Sequence, residues 1–156
     1  MTIELEASVV VPRKVDDVFA AAAGDADRLA RYFTGYPPLI PGIAAAAIDG
    51  GGAPREGALR TVKLTDGTTI RERITRFDAP RAHGYEMAEM NALQRLFCAN
   101  MISLWTFADE GGATRVVWRY SIVEKGALTW PLAWAVSQLF QRAMQRCLDN
   151  LSREER

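Results

Sequence analysis

The chain has 156 residues, enough for one domain with a sizeable core, and at 49% hydrophobic and 24% charged its composition is that of an ordinary globular protein. Its 19 basic residues balance 19 acidic ones, which removes the long-range attraction that draws basic proteins to nucleic acid or anionic membranes. Two cysteines, Cys98 and Cys147, lie far apart and outside any C-x-x-C spacing, and His83 is the only histidine, so neither a disulfide framework nor a zinc site is expected.

Ile3 to Val11 alternates. Ile3, Leu5, Ala7, Val9 and Val11 fall on one face and Glu4, Glu6 and Ser8 on the other, the pattern of a strand with one wet side. The same glutamates interrupt the first apolar run, so no signal-peptide pattern opens the chain; with its isolated thiols, the expected location is the cytoplasm. Pro12 ends the strand. Lys14 to Ala23 predicts a short helix, with Val15, Val18, Phe19 and Ala22 at helical spacing, closed by Gly24; Asp25 can cap a second helix through Tyr32. Pro37, Pro38, Pro41 and Gly42 make a stiff loop. Ile43 to Ile48 reads as a strand, although its alanines would equally suit a helix. Gly50-Gly51-Gly52 lacks the Lys-Ser/Thr and the helix that complete a phosphate loop, and is read as a flexible turn.

Ala58 to Leu64 and Thr68 to Phe77 flank Asp66-Gly67, a strong hairpin signal. Asp78-Ala79-Pro80-Arg81 turns the chain into a strand from Ala82 to Glu89, and Phe97 to Ala108 and Ala113 to Val123 flank Glu110-Gly111-Gly112. Within this series Glu72 stands between Ile70 and Ile74, where alternation calls for an apolar residue. A charge on the covered face of a sheet is costly unless it meets a partner, water or a ligand.

A two-residue turn at Asp66-Gly67 sets Thr61 opposite Glu72 and Leu59 opposite Ile74, which brings Lys63 onto the face of Glu72, diagonal to it. A turn one residue longer makes Arg60 the partner. The Pro80 turn sets Ile74 beside Tyr85, Glu72 beside Met87 and His83 opposite Arg76. The Gly111 turn sets Trp105 beside Val116, Ser103 beside Trp118 and Met101 beside Tyr120. Together these registers give one inner face carrying Lys63, Glu72, Tyr85, Met87, Met101, Trp105, Trp118 and Tyr120. Either its rings line a cavity or they pack against one another as core. Arg71, Arg73 and Arg76 have mixed facing and read as solvated rather than nucleic-acid binding.

Leu128 to Ser152 predicts a long helix with an apolar stripe of Leu132, Val136, Leu139, Phe140, Ala143, Met144, Cys147 and Leu151, which has only the sheet to lie on. The longest apolar run, Ala127 to Phe140, has 14 residues, short of the roughly 20 that cross a bilayer, so no integral membrane segment is expected. Trp130 and Trp134 point away from the stripe. Either a neighbouring loop folds over them, or they form a docking patch for a membrane surface, a partner or a second copy of the chain.

One strand, two short helices, about six strands and a long last helix follow the order of the helix-grip fold. The chain resembles the superfamily of START lipid-transfer domains, birch-pollen-type allergens, plant hormone receptors and bacterial polyketide cyclases, and within it the polyketide cyclase/dehydrase-like branch. The resemblance is carried by Gly57-x-x-Arg60, Asp66-Gly67, Glu72-Arg73-Ile74, Asp78-x-Pro80-Arg81, Tyr85, Gly112-x-Thr114, Trp118 and Leu148-Asp149-Asn150-Leu151, and it spans nearly the whole chain. It implies a single α+β domain over residues 1–156: a curved antiparallel sheet of about seven strands gripping the last helix, with a cavity for a hydrophobic small molecule and no cofactor.

It further implies that Glu72 and Tyr85 line that cavity, as a glutamate in a matching E-R-L segment and an aromatic at the matching position do in the hormone receptors. Glu72 then anchors a ligand, acts as a general base, or is simply paired across the sheet. Binding or carriage of a small hydrophobic ligand is the expected function. The alternatives are a cyclase/aromatase using Glu72 or Tyr85 as acid or base, and an interaction module or homodimer docking through Trp130 and Trp134. His83, with no serine or cysteine motif beside it, is read as a satisfied edge histidine rather than part of a catalytic triad.

Overall fold

Where the sequence alternates, the computed structural model, which describes residues 2–154, has strands. The elements are β1 (Thr2–Val11), α1 (Val15–Ala23), a 3-10 turn (Ala26–Arg28) leading into α2 (Leu29–Tyr32), β2 (Ile43–Ile48), β3 (Leu59–Leu64), β4 (Thr69–Asp78), β5 (Ala82–Glu89), α3 (Ala92–Phe97), β6 (Cys98–Asp109), β7 (Thr114–Glu124) and α4 (Trp130–Arg153). Asp25 caps the 3-10 turn as expected, its Oδ1 accepting from the Asp27 N–H at 3.0 Å. The element not expected is α3. It is opened by a reciprocal capping box in which Asn91 accepts from the Gln94 N–H and the Gln94 side chain accepts from the Asn91 N–H.

All seven strands form one antiparallel sheet in the order β1-β7-β6-β5-β4-β3-β2, curved around α4. Both edges are closed by side chains. On β1, Gln141 of α4 accepts from the Glu6 N–H at 3.2 Å and donates to the Glu6 carbonyl, and Gln145 donates to the Ser8 carbonyl at 3.1 Å. On β2, Asp27 Oδ1 accepts from the Ala46 N–H at 3.0 Å. These contacts occupy backbone groups that would otherwise template another strand.

The β3–β4 turn differs from the two-residue expectation. Leu64 and Thr68 close a loop of Thr65, Asp66 and Gly67, with Gly67 at φ 88°. A three-residue loop with a left-handed glycine in last place suits Asp-Gly as well as a two-residue turn does. The extra residue sets Arg60, not Thr61, opposite Glu72 and Val62 opposite Ile70. Lys63 is thereby turned to the exposed outer face, a correction to its inner-face assignment. Between β4 and β5, Ile74 meets Tyr85 and Glu72 meets Met87 as expected, but an irregularity after Ile74 pairs His83 with Phe77 instead of Arg76. The β6–β7 register lies two residues from expectation, with Trp105 opposite Trp118 and Ser103 opposite Tyr120. A slip of two leaves every side chain on its expected face.

The far half of α4 packs tightly, with Ala143, Met144, Cys147, Leu148 and Leu151 buried. Its near half is different. Leu132, expected on the stripe, is 49% exposed, and the fully buried residues of these turns are the small Ala133 and Ser137. Beyond them Phe140 meets Tyr120 of the sheet edge-on at 4.8 Å, and between that contact and the first turn the helix spans a gap that it does not fill.

Candidate functional site

That gap is a cavity of about 110 Å³ between the inner face of the sheet and the first turns of α4. Its walls are mostly apolar: Phe33, Ile43, Val62, Ile70, Met87, Met101, Trp118, Ile122, Val136 and Phe140 all contribute. Glu72 and the phenols of Tyr85 and Tyr120 supply polar groups from the sheet, all buried. The mouth lies among Leu39 of the proline loop, Asp66 of the β3–β4 turn, and Asn91, Leu93 and Gln94 around the start of α3. Leu39 and Leu93 are about half exposed at 53% and 47%.

The loops of the mouth are tied together. Thr65 donates its N–H to the Gly42 carbonyl and accepts the Gly42 N–H on its hydroxyl, both at 2.9 Å. Asn91 Nδ2 donates to Thr68 Oγ1 at 3.2 Å. Tyr36 and Ile40 bridge the proline loop to itself. Arg142 and Arg146 of α4 stack over the Tyr36 ring at 5.9 and 5.0 Å.

Behind the polar end lies a charged cluster that the expected register had dispersed. Arg60, almost wholly buried, donates through Nη2 to Glu72 Oε1 at 3.3 Å, and its Nη1 lies 3.4 Å from His83 Nε2. Its guanidinium sits over the Tyr85 ring at 4.8 Å. Because Arg60 can only donate, His83 Nε2 is the acceptor and its proton sits on Nδ1, which has no hydrogen-bond partner among the described residues.

Burial pushes the Glu72 carboxyl above its ordinary value, while Arg60 pulls it back. Burial, reinforced by the Arg60 charge, holds His83 neutral with a pKa lowered to about 3. Burial, then the neighbouring Glu72 charge, raises the Tyr85 phenol. Tyr120 is raised too, first by burial and then by Tyr85 and Glu72. The polar end of the site therefore presents the Glu72 carboxyl group backed by a guanidinium, and two phenols that stay protonated.

Six residues expected on the inner face do line the cavity: Glu72, Tyr85, Met87, Met101, Trp118 and Tyr120. Lys63 does not, since it faces outward. Trp105 has the expected face but lies outside the cavity. It stacks on Trp118 at 4.3 Å and on Phe107 at 6.2 Å, and Phe107 meets Phe19 of α1 edge-on at 5.0 Å. At that end α1 plugs the sheet, and the rings there are core. Trp130 is partly covered, whereas Trp134 is 48% exposed, so the loops leave much of it uncovered.

The family described as "Polyketide cyclase / dehydrase and lipid transport" matches residues 2–154. No curated protein matches in sequence. Among solved structures, XoxI from Bacillus cereus is similar at TM-score 0.70 and 18% identity, over 96% of this chain and 92% of that one. Ara h 8.0201 is similar at 0.67 and 16%, over 97% and 98%. The di-domain ARO/CYC StfQ of the steffimycin biosynthetic pathway is similar at 0.67 and 13%, over 97% of this chain and 50% of that one. At these identities the likeness concerns the fold, which is the helix-grip arrangement. Among the described residues no helix is long and apolar enough to cross a membrane.

Proposed function

This chain belongs to the polyketide cyclase / dehydrase and lipid transport family, and from that premise we propose that it binds a small hydrophobic molecule in the cavity between the sheet and α4. One observation carries the reading: the near half of α4 leaves an apolar hollow whose polar lining includes the buried carboxylate Glu72. Apolar walls supply affinity in proportion to the area they cover, roughly 25 cal/mol per Å², and the few polar groups supply orientation. A filled interior would favour the interaction-module alternative, which draws no support from this hollow.

Native mass spectrometry of the protein purified from its own host tests the proposal. The expected spectrum holds a co-purifying small molecule that disappears in Ala133→Leu, a variant that grows a side chain into the hollow from a buried helix position. An identical adduct in both proteins sinks the assignment to this cavity.

A catalytic reading is favoured by one further observation: Glu72, its pKa raised, shares the cavity with the protonated Tyr85 phenol. That pair is suited to proton transfer on a bound carbonyl compound. StfQ is described as an ARO/CYC and another similar structure is a norcoclaurine synthase, so the scaffold carries chemistry elsewhere. Turnover of a carbonyl substrate, lost in Glu72→Gln with binding retained, distinguishes this reading from simple carriage.

A further inference from the structure

The charge inventory of the cavity narrows what it can hold. No Lys, Arg or His is among the described residues lining it; its charged lining groups are Glu72 and, at the mouth, Asp66. A ligand carboxylate or phosphate would be stripped of water without a counter-ion and set against an acid. Glu72 in turn is already balanced from behind by Arg60, itself outside the lining. A ligand ammonium would place a second cation on one carboxylate and leave a net positive charge in a buried site.

A purely apolar ligand fails for another reason. Arg60 gives Glu72 one hydrogen bond, at 3.3 Å, whereas an ionised carboxylate accepts about four. Hydrocarbon against that oxygen pair would dehydrate it without replacing the lost bonds. Size sets the last limit: the hollow of about 110 Å³ is comparable to engineered apolar cavities of about 150 Å³ that take up benzene.

Resting on the binding function proposed above, we infer that the occupant is an uncharged single-ring molecule bearing a hydroxyl group, a phenol or a related ring alcohol, which donates its O–H to Glu72. The ring lies against Trp118 and Phe140, and the Tyr85 and Tyr120 phenols, with the Ser137 hydroxyl of α4, are further polar groups of the cavity wall.

The test uses four probes of one shape: toluene, p-cresol, 4-methylbenzoate and 4-methylbenzylamine, titrated at pH 7 into the intact protein. Binding is followed by NMR at the Trp118 indole N–H, which is held by Ser103 at 2.7 Å. The expected order has p-cresol at least about tenfold tighter than toluene, as a hydrogen bond to a charged group gives, and 4-methylbenzoate and 4-methylbenzylamine weaker than toluene. In the double variant Arg60→Met/Glu72→Met, which removes the ion pair without stranding a charge, p-cresol falls to the affinity of toluene. Equal binding of p-cresol and toluene, or tightest binding of the acid or the amine, overturns the ligand class while leaving the cavity as an apolar binding site. Failure of all four to bind overturns both.

Discussion

Removing one partner of the Arg60–Glu72 pair has consequences that depend on which partner goes. The pair is joined by a single 3.3 Å contact, with side-chain exposures of 4% and 5%, so neither charge can fall back on bulk water. In Glu72→Met the guanidinium is stranded and cannot lose its proton; breaking a buried pair in this way costs about 3–5 kcal/mol, at any pH between 5 and 7. In Arg60→Met the stranded group is a carboxyl, which escapes by taking up a proton. From its ordinary value of 4.5, holding it neutral costs at most about 3.4 kcal/mol at pH 7 and about 0.7 kcal/mol at pH 5, at 1.36 kcal/mol per pH unit. The Arg60→Met penalty should therefore shrink by up to about 2.7 kcal/mol between pH 7 and pH 5, while the Glu72→Met penalty does not shrink, because the stranded guanidinium keeps its proton and the raised Glu72 of wild type only gains on acidification. Urea unfolding followed by tryptophan fluorescence, with wild type as reference at each pH, measures both. The double variant should lie within about 1–2 kcal/mol of wild type. An Arg60→Met penalty that is the same at both pH values refutes the reasoning, because it means that Glu72 remains ionised and hydrated through the cavity.

His83 gives an opposite pH dependence. Its folded pKa of about 3 lies below the ordinary 6.5, so the native state binds fewer protons in that window. The contribution of His83 to stability is complete above the unfolded value and is lost as pH falls, by up to about 2.7 kcal/mol between pH 6.5 and pH 4.5. Glu72, with its raised value, works in the other sense, so His83→Gln is compared with wild type by urea unfolding at each pH; the expected result is a shallower acid decline, and an unchanged slope contradicts a buried neutral imidazole. Gln141→Leu removes the amide that closes the β1 edge at Glu6. The expected loss is about 1–2 kcal/mol in urea unfolding, with concentration-dependent self-association in light scattering; a stable monomeric variant contradicts the edge-closing role.

Much of this architecture was legible because alternation and turn residues agreed. β2 and β5 have the expected bounds, and the two-residue slip between β6 and β7 was harmless because facing repeats every two residues. The one-residue error at Asp66-Gly67 was not harmless, since it exchanged Arg60 for Lys63. The correcting signal lay inside β3 itself. Val62 and Leu64 are its apolar pair with Ile70 waiting opposite, and Arg60 shares their face. Turn chemistry alone could not decide, because a left-handed glycine serves both loop lengths. The irregularity after Ile74 carries no residue signature, and without it His83 could not be set beside Phe77. The helix α3 did carry a signal, Asn91-x-x-Gln94, which lies between two strands and is easily passed over. The hollow itself shows only as Ala133 and Ser137, two small buried residues beside the apolar stripe of the helix.

The interlocked mouth separates how tightly a guest is held from how quickly it can leave. Gly42, Thr65, Thr68 and Asn91 latch the proline loop, the β3–β4 turn and the α3 cap to one another, and the stacked arginines of α4 clamp the first of these to the helix. Lifting any one of the three breaks a hydrogen bond to a neighbour. Opening the mouth then involves more than one loop at once, so the protein's own contacts would slow the exchange of a guest whatever the strength with which that guest is held.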